Sequence, residues 1–166
     1  MSHAGYGISE VELAEAGDTT LAGFGTDATS TSVTGFGVLN ILQVDGVGIT
    51  PIVVPFVMAF SPSGGTYGLA TDGGGGPVFN TQWSGFFSED IELVLANNGI
   101  FPAVGATKIS INLDNTLTAT SEFGTFSLIA KKDFGGLSVT VFTIPEPAAC
   151  LLVGLAVIGL GFIRRR

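Results

Sequence analysis

Short runs of alternating apolar and polar residues predict that most of the chain is built from β-strands. The clearest run covers 108–114, where Ile109, Ile111 and Leu113 alternate with polar residues at the two-residue period of a half-buried strand. The same kind of pattern predicts strands at 38–44, 47–54, 78–87, 91–96, 116–120, 125–130 and 137–144. About eight to ten short strands at this spacing indicate an antiparallel β-sandwich or a jelly-roll-like domain.

Turn residues between these runs predict how the strands connect. Asp45-Gly46 lies between two apolar runs, which is a strong signal for a hairpin. Asp114-Asn115 predicts a second two-residue turn, because both residue types tolerate positive φ. Pro51 and Pro55 lack backbone donors, so at least part of that strand is expected at a sheet edge or a bulge.

The segment 9–16 fits two structures. Ser9 and Glu12 have the spacing of a capping box that would start a short helix. Val11 and Leu13 alternate with glutamates, however, and this alternation favours a strand slightly more.

Glycine content and charge narrow the classes of protein to which the chain can belong. Glycine supplies 25 of the 166 residues, and each glycine inside a helix costs about 1 kcal/mol relative to alanine, so long helices are not expected in this body. Residues 1–144 hold 13 Asp and Glu but only three Lys, a net charge of −10. Such an acidic body argues against nucleic-acid binding, which needs lysine and arginine at the phosphates.

The inventory of reactive side chains gives little support for an enzyme. His3 and Cys150 are the chain's single histidine and single cysteine, so neither a Cys/His metal site nor a histidine-based triad in the body is expected. A calcium site could use Glu89, Asp90 and Glu92, but an exposed strand start explains them better. A glycosidase-type carboxylate pair stays open, although most acids lie beside turn residues. We therefore expect a protein that is not an enzyme and has no cofactor or metal.

Trp83 is the one aromatic residue that suggests a ligand. Together with Phe86 and Phe87 it could stack on sugar rings in a carbohydrate-binding sandwich. At strand spacing, however, Trp83 and Phe87 share one face, which more often indicates a core position.

The C-terminal residues differ from the body in composition. Residues 148–163 contain no charge, and as a helix they would span roughly 24 Å at about 1.5 Å per residue, somewhat less than the roughly 30 Å hydrocarbon core. Three arginines follow, and positive residues beside an apolar segment tend to stay cytoplasmic. The stiff triplet Pro145-Glu146-Pro147 comes before the segment. These features predict a transmembrane helix at 148–163 with a cytoplasmic C-terminus.

This ordered set resembles the PEP-CTERM protein-sorting signal, over about 23 residues of the chain. The resemblance implies that an exosortase, an integral-membrane cysteine protease, recognises and removes the tail, and that the mature protein then reaches the cell surface or an extracellular polysaccharide matrix. The strand pattern and the resemblance together predict a β-sandwich ectodomain at 1–144 and a sorting segment at 145–166. The residues that match the motif are Pro145, Glu146, Pro147, Arg164, Arg165 and Arg166.

The expected function is that of an exported structural or interaction protein of the bacterial envelope or matrix, including biofilm. Its expected partners are the exosortase, the inner membrane before processing, and extracellular polysaccharide. A carbohydrate-binding module that tethers matrix polysaccharide is the alternative, and an ordinary tail anchor is another. Proteins with this signal normally carry a signal peptide, but residues 1–18 contain no basic and apolar leader, so we expect the true start to lie upstream of Met1.

Overall fold

The computed structural model describes residues 6–74, 76–132 and 137–145 of the chain. Within these residues the backbone forms antiparallel β-strands, one short α-helix and a 3₁₀ turn at Ser63–Gly65. The elements are β1 (Tyr6–Ala22), β2 (Ser30–Val44), β3 (Val47–Val57), β4 (Ala59–Ser61), β5 (Thr66–Gly68), β6 (Val78–Asp90), α1 (Ile91–Asn97), β7 (Ala106–Thr120), β8 (Phe126–Lys131) and β9 (Leu137–Pro145). The fold of the described chain is therefore mainly β.

Hydrogen bonds join the strands into one sheet with the order β3-β2-β7-β1-β6-β4. Strand β5 pairs with β2, and both β8 and β9 pair with β1. The two longest ladders are β2 with β7 and β1 with β6. A single residue pair, Ile8 with Ala106, connects β1 to β7 and so links these two ladders.

The sheet curls so that its two halves enclose the core, as the layers of a sandwich do. The larger core cluster combines buried residues of β1, β2, β3, α1 and β7. Across this core, the Phe56 ring from β3 stacks on the Phe87 ring from β6 with 4.0 Å between centroids. A second cluster, which includes Leu21, Tyr67 and Trp83, fills the other end.

Strand β1 is the central element, and its burial follows the alternation in its sequence. Val11 and Leu13 are almost completely buried, whereas Glu10 and Glu12 are half-buried on the opposite face. This two-residue period decides between the alternatives for 9–16, because a helix would have buried a different set of positions.

The predicted hairpin and the predicted edge strand are both confirmed. Asp45 and Gly46 have φ values of 51° and 78°, the positive values that a tight two-residue hairpin turn requires. Strand β3 ends the strand order, and it carries Pro51 and Pro55 at exposed positions.

The strand predicted at 91–96 is wrong, because these residues form α1. An Asp90 carboxylate oxygen accepts a hydrogen bond from the Leu93 backbone N–H at 2.9 Å and caps the helix. Ile91, Val94 and Leu95 are its buried residues, at the spacing of a helical face.

The turn predicted at Asp114-Asn115 is also wrong. Strand β7 continues without a break from Ala106 to Thr120, and Asn115 pairs with Gly35 of β2. The chain instead reverses after Thr120, before β8 begins.

The transmembrane helix in the predicted fold class is a further point that the structure does not support. Among residues 6–74, 76–132 and 137–145, no helix has both the length and the apolar character needed to cross a bilayer, and α1 has only seven residues. The helix predicted at 148–163 lies outside these residues. The fold that the structure supports is a curled antiparallel sheet, without support for the transmembrane helix.

Candidate functional site

The last described strand, β9, reaches the first residue of the predicted sorting segment. Strand β9 pairs with β1 from Leu137 opposite Glu15 to Pro145 opposite Tyr6. Pro145 is thus both the last described residue of β9 and the first residue of the proline triplet. The other predicted sorting residues, Glu146, Pro147, Arg164, Arg165 and Arg166, lie outside the described residues.

Close backbone packing positions the start of β1, which pairs with the end of the described β9. A Cβ atom on Gly7 would lie 1.8 Å from the Val104 carbonyl oxygen, so only glycine allows this approach. The Asp45 carboxylate accepts hydrogen bonds from the backbone N–H groups of Ala103, Val104 and Gly105 at 3.0, 2.8 and 3.1 Å. Burial raises the pKa of Asp45, but these three bonds outweigh it and hold the pKa below the usual 3.8. The start of β1, beside which β9 ends, is therefore firmly positioned.

Trp83 lies in the core and does not present its ring to solvent. Its exposed fraction is 1%, and the Phe60 ring meets it edge-on with 5.9 Å between centroids. Phe87 is partly buried against the other core cluster, whereas Phe86 is 47% exposed on the opposite face of β6. In this structure the face of Trp83 is not available for stacking on a sugar, so its position matches the core interpretation.

An open hollow of about 410 Å³ lies beside this part of β6. Gln82, Ser84 and Lys132 line it, and Trp83 contributes to the lining despite its burial. The Lys132 ammonium group is already paired with Asp18 at 3.2 Å. The hollow offers hydrogen-bonding groups, but it contains neither an exposed aromatic face nor a pair of carboxylates suited to acid–base catalysis.

A buried charged cluster is the polar feature that sequence reasoning missed. Glu15 is 2% exposed, and its Oε2 accepts hydrogen bonds from the Lys131 Nζ at 2.5 Å and from the Asn115 Nδ2. Glu15 Oε1 and Asn115 Oδ1 have no protein partner in the described part of the chain. The Lys131 ammonium compensates the negative charge of the Glu15 carboxylate inside the sheet. This buried ion pair connects β1 to β8.

Of the acidic residues considered for calcium, Asp90 has a structural role. Asp90 caps α1, as described above. Burial raises the pKa of Glu89, and the neighbouring charge of Asp90 raises it further. No group of three or more His, Cys, Asp or Glu side chains that could hold a metal occurs within the described ranges.

No protein-family model, curated protein sequence or solved structure matches this chain.

Proposed function

We propose that this chain is an exported structural or interaction protein of the bacterial cell surface or extracellular matrix. Its C-terminal segment, which begins at Pro145, is the address that a PEP-CTERM sorting protease of the exosortase type recognises and removes. The β domain is the part that is delivered.

The order of the C-terminal features carries the proposal: the triplet Pro145-Glu146-Pro147, the uncharged residues 148–163 and the three arginines follow one another as in the PEP-CTERM signal. The described strands all lie within residues 6–145. A cut after Pro145 would leave all of the described β1–β9 ladder in place, including the Tyr6–Pro145 pair. Extended backbone is what proteases bind, and the alternating prolines disfavour any helical structure there. The protease could therefore act beside a folded domain without opening it.

Three acidic side chains of the body have structural roles, and these support a role in display or assembly. Asp45 holds the loop before β7, Asp90 caps α1, and Glu15 is ion-paired with Lys131. Trp83, the residue on which the carbohydrate-binding alternative depended, is in the core. A role in display or assembly therefore accounts for the described residues better than sugar binding through Trp83 does.

The test is to express the chain behind a cleavable secretion leader in two bacterial strains, one with an exosortase and one in which that gene is deleted. Mass spectrometry of the surface and matrix fractions should find a C-terminus at or just after Pro145 only in the first strain. Recovery of surface material that still ends in Arg166 would contradict the proposal. A cut N-terminal to Val141 would contradict the geometric argument, because that bond lies within the ladder.

Two variants separate recognition of the triplet from a general effect of losing prolines. Changing all three triplet residues to alanine should block processing and leave the folded domain intact. Pro51→Ala/Pro55→Ala in β3 is the matched control, since it also removes two prolines but leaves the triplet unchanged. Equal processing of the wild-type and triplet variants would exclude Pro145-Glu146-Pro147 as the signal.

A further inference from the structure

One outer face of the sheet is apolar and lacks any cover in the described chain. Phe36 of β2 is 51% exposed, and Val53 and Val57 of β3 are 59% and 75% exposed. The ladder places Phe36 opposite Val57 and Val38 opposite Pro55, so these residues share one side of the sheet. We call the five residues Phe36, Val38, Val53, Pro55 and Val57 the outer apolar face.

Strand β7 borders this face and adds one charge near each end. Asp114 lies opposite Phe36, and Lys108 lies opposite Gln43. Lys108 and Asp114 are both exposed and six residues apart on the same side of β7, which corresponds to roughly 20 Å along a strand. Ser110 and Asn112, between them on that side, are polar but uncharged.

These two charges have no partner within the described chain. Lys131 is paired with Glu15 and Lys132 with Asp18, so Lys108 is the one lysine of the described residues without a carboxylate partner. This is unusual in a body that contains 13 acidic residues and three lysines. Asp114 likewise makes no ion pair in the described part.

We propose that the outer apolar face and the adjacent strand β7 bind a second copy of this chain through a two-fold axis that crosses the strands. With that symmetry, the strands of the two copies run in opposite directions, and Asp114 of each copy meets Lys108 of the other. An interface of this kind must be self-complementary, and an opposite charge near each end of an uncharged face has that property.

The distribution of charge favours association through this face. The segments 30–44 and 47–57, which form β2 and β3, contain no charged residue. Two acidic molecules repel each other across most orientations, but here the two faces carry no net charge. The copies can therefore approach each other at this surface without that repulsion.

Packing of the faces is favoured over pairing of the strand edges. Pro51 and Pro55 remove two N–H donors from β3, the strand at the end of the sheet, which interrupts any ladder with a further strand. Three strands spaced about 4.8 Å apart over about ten residues cover roughly 500 Å² per copy. The total of roughly 1,000 Å² is at the low end for specific complexes, so we expect a weak dimer that forms in a concentration-dependent manner.

The experiment is analytical ultracentrifugation of the full chain in a mild non-ionic detergent over a range of protein concentrations. The wild-type protein should show a monomer–dimer equilibrium. Lys108→Glu and Asp114→Lys should each weaken it about tenfold, whereas the double variant Lys108→Glu/Asp114→Lys should return to within about threefold of wild type. Val57→Glu should abolish the dimer, and circular dichroism should confirm that each variant is folded.

Phe123→Ser is the matched control, because Phe123 is an exposed aromatic residue in the connection between β7 and β8, away from the outer apolar face. It should leave the dimer unchanged. A wild-type chain that stays monomeric at all concentrations overturns the proposal, and so does a dimer that Val57→Glu does not weaken. If both single reversals weaken association and the double variant does not recover it, the two-fold arrangement is wrong.

Discussion

Replacing Trp83 with alanine tests whether this residue is part of the core. Trp83 is 1% exposed and packs in the smaller core cluster with Leu21, Val33, Tyr67 and Leu69. Its Nε1 has no hydrogen-bond partner in the described chain. The stability lost in Trp83→Ala should therefore come from lost packing contacts and from the cavity that is left, rather than from a broken hydrogen bond.

The expected magnitude follows from comparable core substitutions. Removing a buried tryptophan side chain costs about 3–5 kcal/mol. For a protein of this size, each kcal/mol lowers the melting temperature by roughly 2–4 °C, so Trp83→Ala should lower it by roughly 6–20 °C. Trp83→Phe should cost clearly less, because it keeps an aromatic ring and removes an N–H group that is unpaired. For both variants, circular dichroism measures the change in the free energy of unfolding in urea and the change in melting temperature on heating.

Phe123→Ala provides the comparison at a fully exposed aromatic position and should change the free energy of unfolding by less than about 0.5 kcal/mol. If Trp83→Ala were as stable as the wild-type chain, the core assignment would be wrong. A specific loss of glycan binding in a variant of unchanged stability would restore the sugar-stacking interpretation.

Three other substitutions follow from the structure. Asp90→Ala removes the cap of α1 and should reduce the free energy of unfolding by about 1 kcal/mol in urea titrations, whereas the neighbouring Ser88→Ala should have a smaller effect. Burial raises the pKa of Tyr67 above its usual 10, and the charge of Asp72 raises it further. Above about pH 10 the unfolded chain therefore loses this proton before the folded chain does, and folding stability should fall. Tyr67→Phe should reduce this loss of stability at alkaline pH. Because the pKa of Asp45 is lowered, its carboxylate contributes folding stability at neutral pH, and this stability is lost as the pH falls through the folded-state pKa, below 3.8. In an acid titration, Asp45→Asn should therefore lose less stability than the wild type. Equal losses would contradict the role of the three N–H bonds to Asp45.

The features of the fold that sequence could predict are those with a local cause. Asp45-Gly46 forms the predicted hairpin because these residue types adopt positive φ readily. Pro51 and Pro55 lie on the edge strand because a proline cannot donate to a ladder. The last strand is also predictable, since 137–141 alternate between apolar and polar residues, and in the structure β9 extends to Pro145.

The strand predicted at 91–96 failed because a short apolar run carries no clear period. Residues 91–96 fit a buried strand as well as one face of a short helix. What decides the outcome is Asp90, whose side chain accepts from the Leu93 N–H and starts α1. An aspartate directly before an apolar run was the available signal, and the helix it starts then packs Ile91 and Leu95 into the core.

The turn predicted at Asp114-Asn115 failed for a different reason, which also explains why the buried cluster was missed. Asn115 lies at an inward position of β7, where the alternating pattern predicts an apolar residue. A polar residue at such a position looks in the sequence like part of a turn. In the folded sheet it donates to Glu15, which is itself a charged residue in the inward series of β1. The same kind of match recurs at Thr19 of β1 and Thr31 of β2, whose hydroxyl oxygens are 2.5 Å apart. Polar residues at buried positions stay in a strand when a partner stands across the core, because an unpaired buried group would cost several kcal/mol. One strand alone cannot reveal that partner, so only the assembled sheet distinguishes such a residue from a turn.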